Sequence, residues 1–274
     1  MRRRTRGVAL GLGLLRFALP GAAAADVFAS PDVMVSLSGA PVRDREAAID
    51  DGMGSILIEN FGGLPDGADV DALDQEVGRP LRFSLDVTAQ LPGGVVATPD
   101  DVVRMDAGVY TLDFDGAAYG VRAGTNLDAL ARLPDGSLLL SFDVAVELGG
   151  VRADDEDLLR FAGGVFTLYF DASSNGVAPE LDLDAAAYAG EGRIAVSFDG
   201  AGTLGGVHFQ DEDVITLQPG EGGVKLFFDG SAAHAGWADA DLDAVAIPEP
   251  GVLAGLASGA ALLAGLARRR TSRR

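Results

Sequence analysis

Three segments of this chain align without gaps around a serine: RFSLDV from Arg82, LLSFDV from Leu139 and AVSFDG from Ala195. Their serines, Ser84, Ser141 and Ser197, are separated by 57 and 56 residues. Other markers keep the same spacing. An acidic cluster followed by two aliphatics recurs at Asp100-Asp101, at Asp154-Asp155-Glu156-Asp157 and at Asp211-Glu212-Asp213. An alternating aromatic segment then ends in Asp115, Asp171 and Asp229, and a Leu-Asp-Ala step follows at Asp128, Asp184 and Asp243. A degraded first copy has VMVSLSG around Ser36, SILIEN around Ile58, and Asp71-Ala72-Leu73. Four independent markers on one period define a repeat, and a repeat of this length limits the chain to a solenoid, a propeller or an array.

Each unit reads as four short strands. In the third, Asn126 to Leu133 is the first strand, Pro134-Asp135-Gly136 a turn, and SLLLSFDVAV the second strand. DLLRFA and VFTLYFD are the third and fourth, with Phe166, Leu168 and Phe170 on one face and Val165, Thr167 and Tyr169 on the other. The glycine pairs Gly93-Gly94, Gly149-Gly150 and Gly205-Gly206 recur with the period and mark turns, not a phosphate loop. No segment of the region shows a sustained helical period. The fold class is therefore all-β, with about four four-stranded repeats: a four-bladed β-propeller, or alternatively an open β-array or sandwich. The units span about 26–68, 69–125, 126–180 and 181–240. An orphan inner strand, 241–247, is placed to dock into the first unit and close the ring, removing two open sheet edges.

The two ends of the chain carry a different message. Arg2, Arg3, Arg4 and Arg6 precede an apolar run to Leu19 and the small residues Ala22 to Ala25, the layout of a signal peptide over 1–25, with Arg16 as a departure. At the other end Pro248, Glu249 and Pro250 precede an uncharged stretch, 251–267, and then Arg268, Arg269, Arg270, Arg273 and Arg274. As a helix, those residues would cover about 25 Å, the short end of a membrane span, with the arginines on the cytoplasmic side.

This tail resembles the PEP-CTERM sorting signal of Gram-negative bacteria, through Pro248-Glu249-Pro250, the apolar helix and Arg268 to Arg270. The resemblance covers about a tenth of the chain. It implies recognition by an exosortase-like membrane processing enzyme, transient anchoring in the inner membrane, and a final place at the cell surface or in a matrix of extracellular polysaccharide. The other reading of the tail is a plain membrane anchor.

Between the two ends lie 11 basic and 40 acidic residues, a net charge of −29. Such a surface repels nucleic acid and anionic lipid, so a nucleic-acid partner is excluded. There is no cysteine, so neither disulfides nor thiol chemistry enter. The acidic loops Asp154, Asp155, Glu156 and Asp157, and Asp211, Glu212 and Asp213, are candidate calcium ligands, because calcium takes six to eight oxygens from carboxylates and carbonyls. Their spacing matches neither an EF-hand nor a glycine-rich calcium nonapeptide, and solvated loop charge is the competing account. The Asp of the strand ends and of the Leu-Asp-Ala step reads as turn-building, since recurrence in every unit argues against one active site.

No catalytic residues are assigned. His208 and His234 form no zinc-ligand pair, no G-x-S-x-G elbow occurs, and a carboxylate pair suited to a glycosidase has no specificity among so many acids. Trp237, the lone tryptophan, reads as core filling before sugar stacking. The sequence thus points to an exported structural or interaction component associated with polysaccharide; the alternative is a secreted polysaccharide-acting hydrolase.

Overall fold

The computed structural model describes residues 27–52, 54–61, 64–75, 79–220 and 222–247. The expected signal peptide, the Pro-Glu-Pro triplet, the apolar stretch and the arginine cluster all lie outside the described residues, among which no helix is long and apolar enough to cross a membrane.

The first blade holds β1 (Val27–Pro31), a short hairpin of β2 (Val35–Leu37) and β3 (Ala40–Val42), then β4 (Glu46–Asp50) and β5 (Ile56–Asn60). The second holds β6 (Ala72–Asp74), β7 (Leu81–Ser84), the hairpin β8 (Ala89–Gln90) and β9 (Val96–Ala97), then β10 (Val102–Asp106) and β11 (Val109–Phe114). The third runs β12 (Ala129–Arg132), β13 (Leu138–Ser141), hairpin β14 (Val146–Leu148) and β15 (Val151–Ala153), β16 (Leu158–Ala162) and β17 (Val165–Phe170). The fourth runs β18 (Ala185–Tyr188), β19 (Ile194–Ser197), hairpin β20 (Gly202–Leu204) and β21 (Val207–Phe209), β22 (Val214–Gln218) and β23 (Gly222–Phe228). The last strand is β24 (Leu242–Ala246).

The main sheets have the orders β24-β1-β4-β5, β6-β7-β10-β11, β12-β13-β16-β17 and β18-β19-β22-β23, all antiparallel. The innermost strands β24, β6, β12 and β18 pack against one another around a common axis. This is a four-bladed β-propeller, closed by the C-terminal strand: β24 pairs with β1 in the register Phe28 to Ala246, Ala29 to Val245 and Ser30 to Ala244.

Three sequence expectations need correction. VMVSLSG is not the second strand of the first blade but its peripheral hairpin; β1 takes that place, and the aligned serine is Ser30 rather than Ser36. The second strand also does not continue to Val146. It ends at Ser141, and the glycine pair turns the extra hairpin β14–β15, a two-stranded sheet of its own. In the outermost strand β17 the expected single apolar face does not hold: a register shift opposite Leu158 and Leu159 puts Phe166 in the core against the second blade and Phe170 in the core against the fourth, while Leu168 remains 40% exposed.

Four hydrophobic cores fill the spaces between neighbouring blades, and the one between the fourth and first blades is as well developed as the others. Trp237 lies there, fully buried, as core filling. Its indole N–H donates to Asp50 Oδ2 at 2.9 Å, and His234 Nδ1 lies 2.7 Å from the same oxygen. Gly236 presses on the first blade so closely that a Cβ there would collide with the Ser36 carbonyl. The seam is thus sealed by a strand, a core and a buried polar clasp.

The repeated serine has a clear physical role. Ser141 Oγ donates to the carbonyls of Asp155 and Asp157, at 3.1 and 2.7 Å, and Ser197 Oγ to those of Asp211 and Asp213, at 3.2 and 2.8 Å. Ser30 Oγ does the same in the first blade, donating to the carbonyls of Asp44 and Glu46 at 2.9 and 2.7 Å. The Asp155 carbonyl also accepts the Leu183 amide of the next blade, as the Asp44 carbonyl accepts that of Val70. The hydroxyl therefore pins the loop that joins one blade to its neighbour. Ser197→Ala would leave two buried carbonyls short of a donor, and chemical denaturation should show a loss of about 1–3 kcal/mol.

Candidate axial carboxylate site

The same three-residue pattern leads into each inner strand: Asp69-Val70-Asp71, Asn126-Leu127-Asp128, Asp182-Leu183-Asp184 and Asp241-Leu242-Asp243. Side chains alternate across a strand. Val70, Leu127, Leu183 and Leu242 are completely buried in the cores between blades, which turns the two flanking polar residues of each triplet the other way, toward the axis. Because β24, β6, β12 and β18 meet there, four copies of one sequence position converge.

A third aspartate fixes each triplet. The carboxylates of Asp86, Asp143, Asp199 and Asp32 accept the amides of Asp69, Asn126, Asp182 and Asp241, at 2.7, 2.8, 2.9 and 2.9 Å. The amide of each returns to the matching carbonyl, so every blade has the same two-way clasp. The mouth of the ring therefore carries eleven aspartates and one asparagine. Among the described residues no arginine or lysine forms an ion pair with any of them.

The contacts run cyclically, each inner Asp meeting the next blade's triplet. Asp243 comes together with Asp69 and Asp71, one carboxylate oxygen of each lying within 4.8 Å of the others. Asn126 Nδ2 donates to Asp71 Oδ2 at 2.6 Å and to Asp128 Oδ1 at 2.8 Å. Asp128 faces the charge of Asp182, and Asp184 is hydrogen-bonded to Asp241. Three junctions thus set carboxylate against carboxylate, and one sets carboxylate against amide.

Burial and like charge push these groups far above the ordinary carboxylate range. Burial first, then the neighbouring carboxylates, raise Asp128 and Asp243 to about 9 and Asp69 to about 8. Burial also raises Asp182 and Asp71 to about 7, the latter held back by the Asn126 amide. Burial raises Asp184 and Asp241 as well, and for Asp184 the charge of Asp241 adds to it. Chemically, the array can hold protons or bind a cation.

The residues singled out from the sequence lie elsewhere. Asp157 accepts the amides of Asp154 and Ala172, and Asp213 those of Gln210 and Gly230; both staple the acidic loop to the end of the fourth strand. Glu156 and Glu212 are buried beside them, while Asp154 pairs with Arg152. Among the described residues, the carboxylates gathered closely enough for a metal are Asp69, Asp71 and Asp243, not the loops of Asp154, Asp155 and Asp211. The strand-end aspartates do build turns, Asp115, Asp171 and Asp229 accepting the amides of Ala118, Ser174 and Ala232. For Asp128, Asp184 and Asp243 the turn reading fails, because they face the axis. The available signal was their recurrence itself: on the innermost strand of a ring, repetition assembles a site instead of arguing against one.

No family model and no curated protein matches this chain. Among solved structures it is similar to a luciferin-regenerating enzyme, at 13% identity over 73% of this chain and 64% of that one, with a TM-score of 0.35. It is also similar to a protein of unknown function from Bacteroides caccae, at 12% identity over 73% and 71%, TM-score 0.32. A catalytically inactive virginiamycin B lyase from Staphylococcus aureus, solved with quinupristin, matches at 12% identity over 77% and 57%, TM-score 0.30. The chain spans less than two-thirds of the luciferin-regenerating enzyme and of the lyase.

The raised carboxyls set a pH dependence. The folded ring keeps protons that the unfolded chain gives up near pH 4, so their stabilising contribution is full below that point and lost as pH climbs. In chelator, at constant ionic strength, the melting temperature should fall as pH rises from about 5 to about 9. A melting temperature that climbs throughout that window would contradict the assignment.

Proposed function

We propose that the protein is exported, sorted by an exosortase-type membrane enzyme, and serves at the cell surface or in the matrix as a non-catalytic interaction component associated with extracellular polysaccharide. The observation that carries this reading is the junction of ring and tail. The closing strand β24 ends at Ala246, and Ile247 still packs on the core between the last and first blades. The Pro-Glu-Pro triplet starts at the next residue, Pro248. A closed, rigid ring is therefore joined to the sorting signal without slack, and the processing enzyme would act on a short segment presented by a folded domain.

Mass spectrometry of the full-length chain expressed with an exosortase tests the sorting. Loss of residues 1–25 and of the segment after Pro250 is the expected result; a mature protein that keeps 251–274 would make the tail a plain anchor.

The hydrolase reading has one observation in its favour, the buried Asp184, whose carboxyl is raised well above the ordinary range, since a glycosidase needs one carboxyl kept protonated as its acid. It separates from the scaffold reading by incubation with the host's exopolysaccharide. The scaffold co-sediments with the glycan and releases no new reducing ends. Release that disappears in Asp184→Asn would establish the hydrolase.

A further inference from the structure

We propose that the axial mouth of the propeller is a binding site for a hard divalent cation, calcium by its chemistry, with Asp69, Asp71 and Asp243 as the first ligands. These residues belong to no loop assigned from the sequence, and the inference stands whether or not the protein is sorted to the surface.

Two independent observations carry it. The first is the ligand set: three carboxylates from two blades, each offering one oxygen within 4.8 Å of the other two. The second is a pair of orphan acceptors in the same array. Asp128 is only 9% exposed, and its Oδ2 is buried without a hydrogen-bond partner among the described residues; Asn126 Oδ1 is likewise unpartnered. Both amide hydrogens of Asn126 face carboxylates, toward Asp71 and Asp128, which leaves its oxygen as an acceptor. Buried acceptors rarely go unsatisfied in native proteins. The side chains next to them, Asp71, Asp143 and Asp182, are acceptors too, so their partner has to come from outside the protein, and a cation would satisfy them while offsetting the crowded carboxylates.

The donor type selects the ion. All the ligands are oxygens, with no histidine or sulfur in the array, which favours calcium or magnesium over transition metals. Magnesium keeps most of its water and takes one or two carboxylates, whereas calcium accepts a crowded, irregular oxygen set of six to eight. Eleven aspartates around a fourfold mouth suit calcium.

The position of Asp243 gives the ion a structural consequence. Asp69 and Asp71 lead into β6 of the second blade, but Asp243 arrives on β24, the closing strand. The set is complete only when the ring is shut. A ligand that binds only the closed state stabilises it by mass action, so the cation would act as a lock on the strand that precedes the sorting tail.

The test uses the full-length protein stripped with a chelator, then titrated with calcium chloride, magnesium chloride, or sodium chloride at matched ionic strength. Calorimetry should give saturable calcium binding, with a rise in melting temperature that sodium does not reproduce and magnesium reproduces weakly. Asp243→Asn and Asp69→Asn should weaken calcium binding by about tenfold or more. In chelator the same variants should melt higher than the parent, because each removes a carboxyl that ring closure must either protonate or leave as a repelling charge. That reversal of sign distinguishes a ligand from a residue that merely supports the fold. Asp154→Asn and Asp211→Asn serve as controls and should leave calcium binding unchanged. Absence of saturable heat and of a thermal shift in millimolar calcium would overturn the proposal. So would a calcium response that survives in Asp243→Asn and vanishes in Asp154→Asn.

Discussion

The pairing of β24 with β1 is the contact on which the rest of this molecule depends. Three of the four blade interfaces join units that follow one another in the chain, but the fourth must bring together segments more than 200 residues apart, such as Phe28 and Ala246. Closing so long a loop costs entropy before any contact offsets it. The seam is correspondingly over-determined. It has strand pairing, a full hydrophobic core, and a buried aspartate, Asp50, held by both Trp237 and His234. Without it the inner edge of β1 and one side of the fourth blade would both be open to other chains.

Closure also creates the molecule's main electrostatic difficulty. Bringing four inner strands together brings their aspartates together. Two unit charges 4.8 Å apart, the limit of separation within the Asp69, Asp71 and Asp243 group, repel by on the order of 3 kcal/mol at an effective dielectric of ~20. Several such pairs would cancel a good part of a domain's marginal stability of about 5–15 kcal/mol. The ring can therefore close with these groups protonated or with a cation among them, but not with all of them charged and bare. The hydrophobic residue inside each triplet explains how the charges are forced inward: burying Val70, Leu127, Leu183 and Leu242 between blades leaves the flanking acids only the axis.

The architecture was legible in the sequence because a period near 57 residues carries both the strand count and the closing strand. The slip from Ser30 to Ser36 has a local cause. VSLSG in the β2–β3 hairpin imitates an inner-blade strand, while the true one, VFASPD, has proline where other copies have leucine or phenylalanine, and it lies just after the alanine run that ends at Ala25. The fragment Ser-x-Asp survives in all four copies, as Ser30 and Asp32, Ser84 and Asp86, Ser141 and Asp143, Ser197 and Asp199. It marks the correct alignment, since both residues have fixed structural duties. The axial site was not legible from residue types alone. Its members are spread over separate repeats, and only the ring geometry shows that they share one place.

Repetition within one chain separates into two kinds once the ring is known. Ser141 and Ser197 recur because every blade needs its acidic loop pinned to the next blade, and their hydrogen bonds account for them fully. Asp143 and Asp199 recur because each holds the amide of an inner-strand residue. Asp71, Asp128, Asp184 and Asp243 are different: no backbone duty explains them, and Asp128 leaves an oxygen unpaired. A purely structural repeat would do better with an apolar or amide residue there, just as asparagine at position 126, in the place of Asp69, Asp182 and Asp241, relieves the repulsion by donating to two carboxylates. Retaining aspartate at the inner position of every copy therefore follows from the common axis rather than from the needs of any single blade. The symmetry of the array is itself the argument for a ligand at its centre.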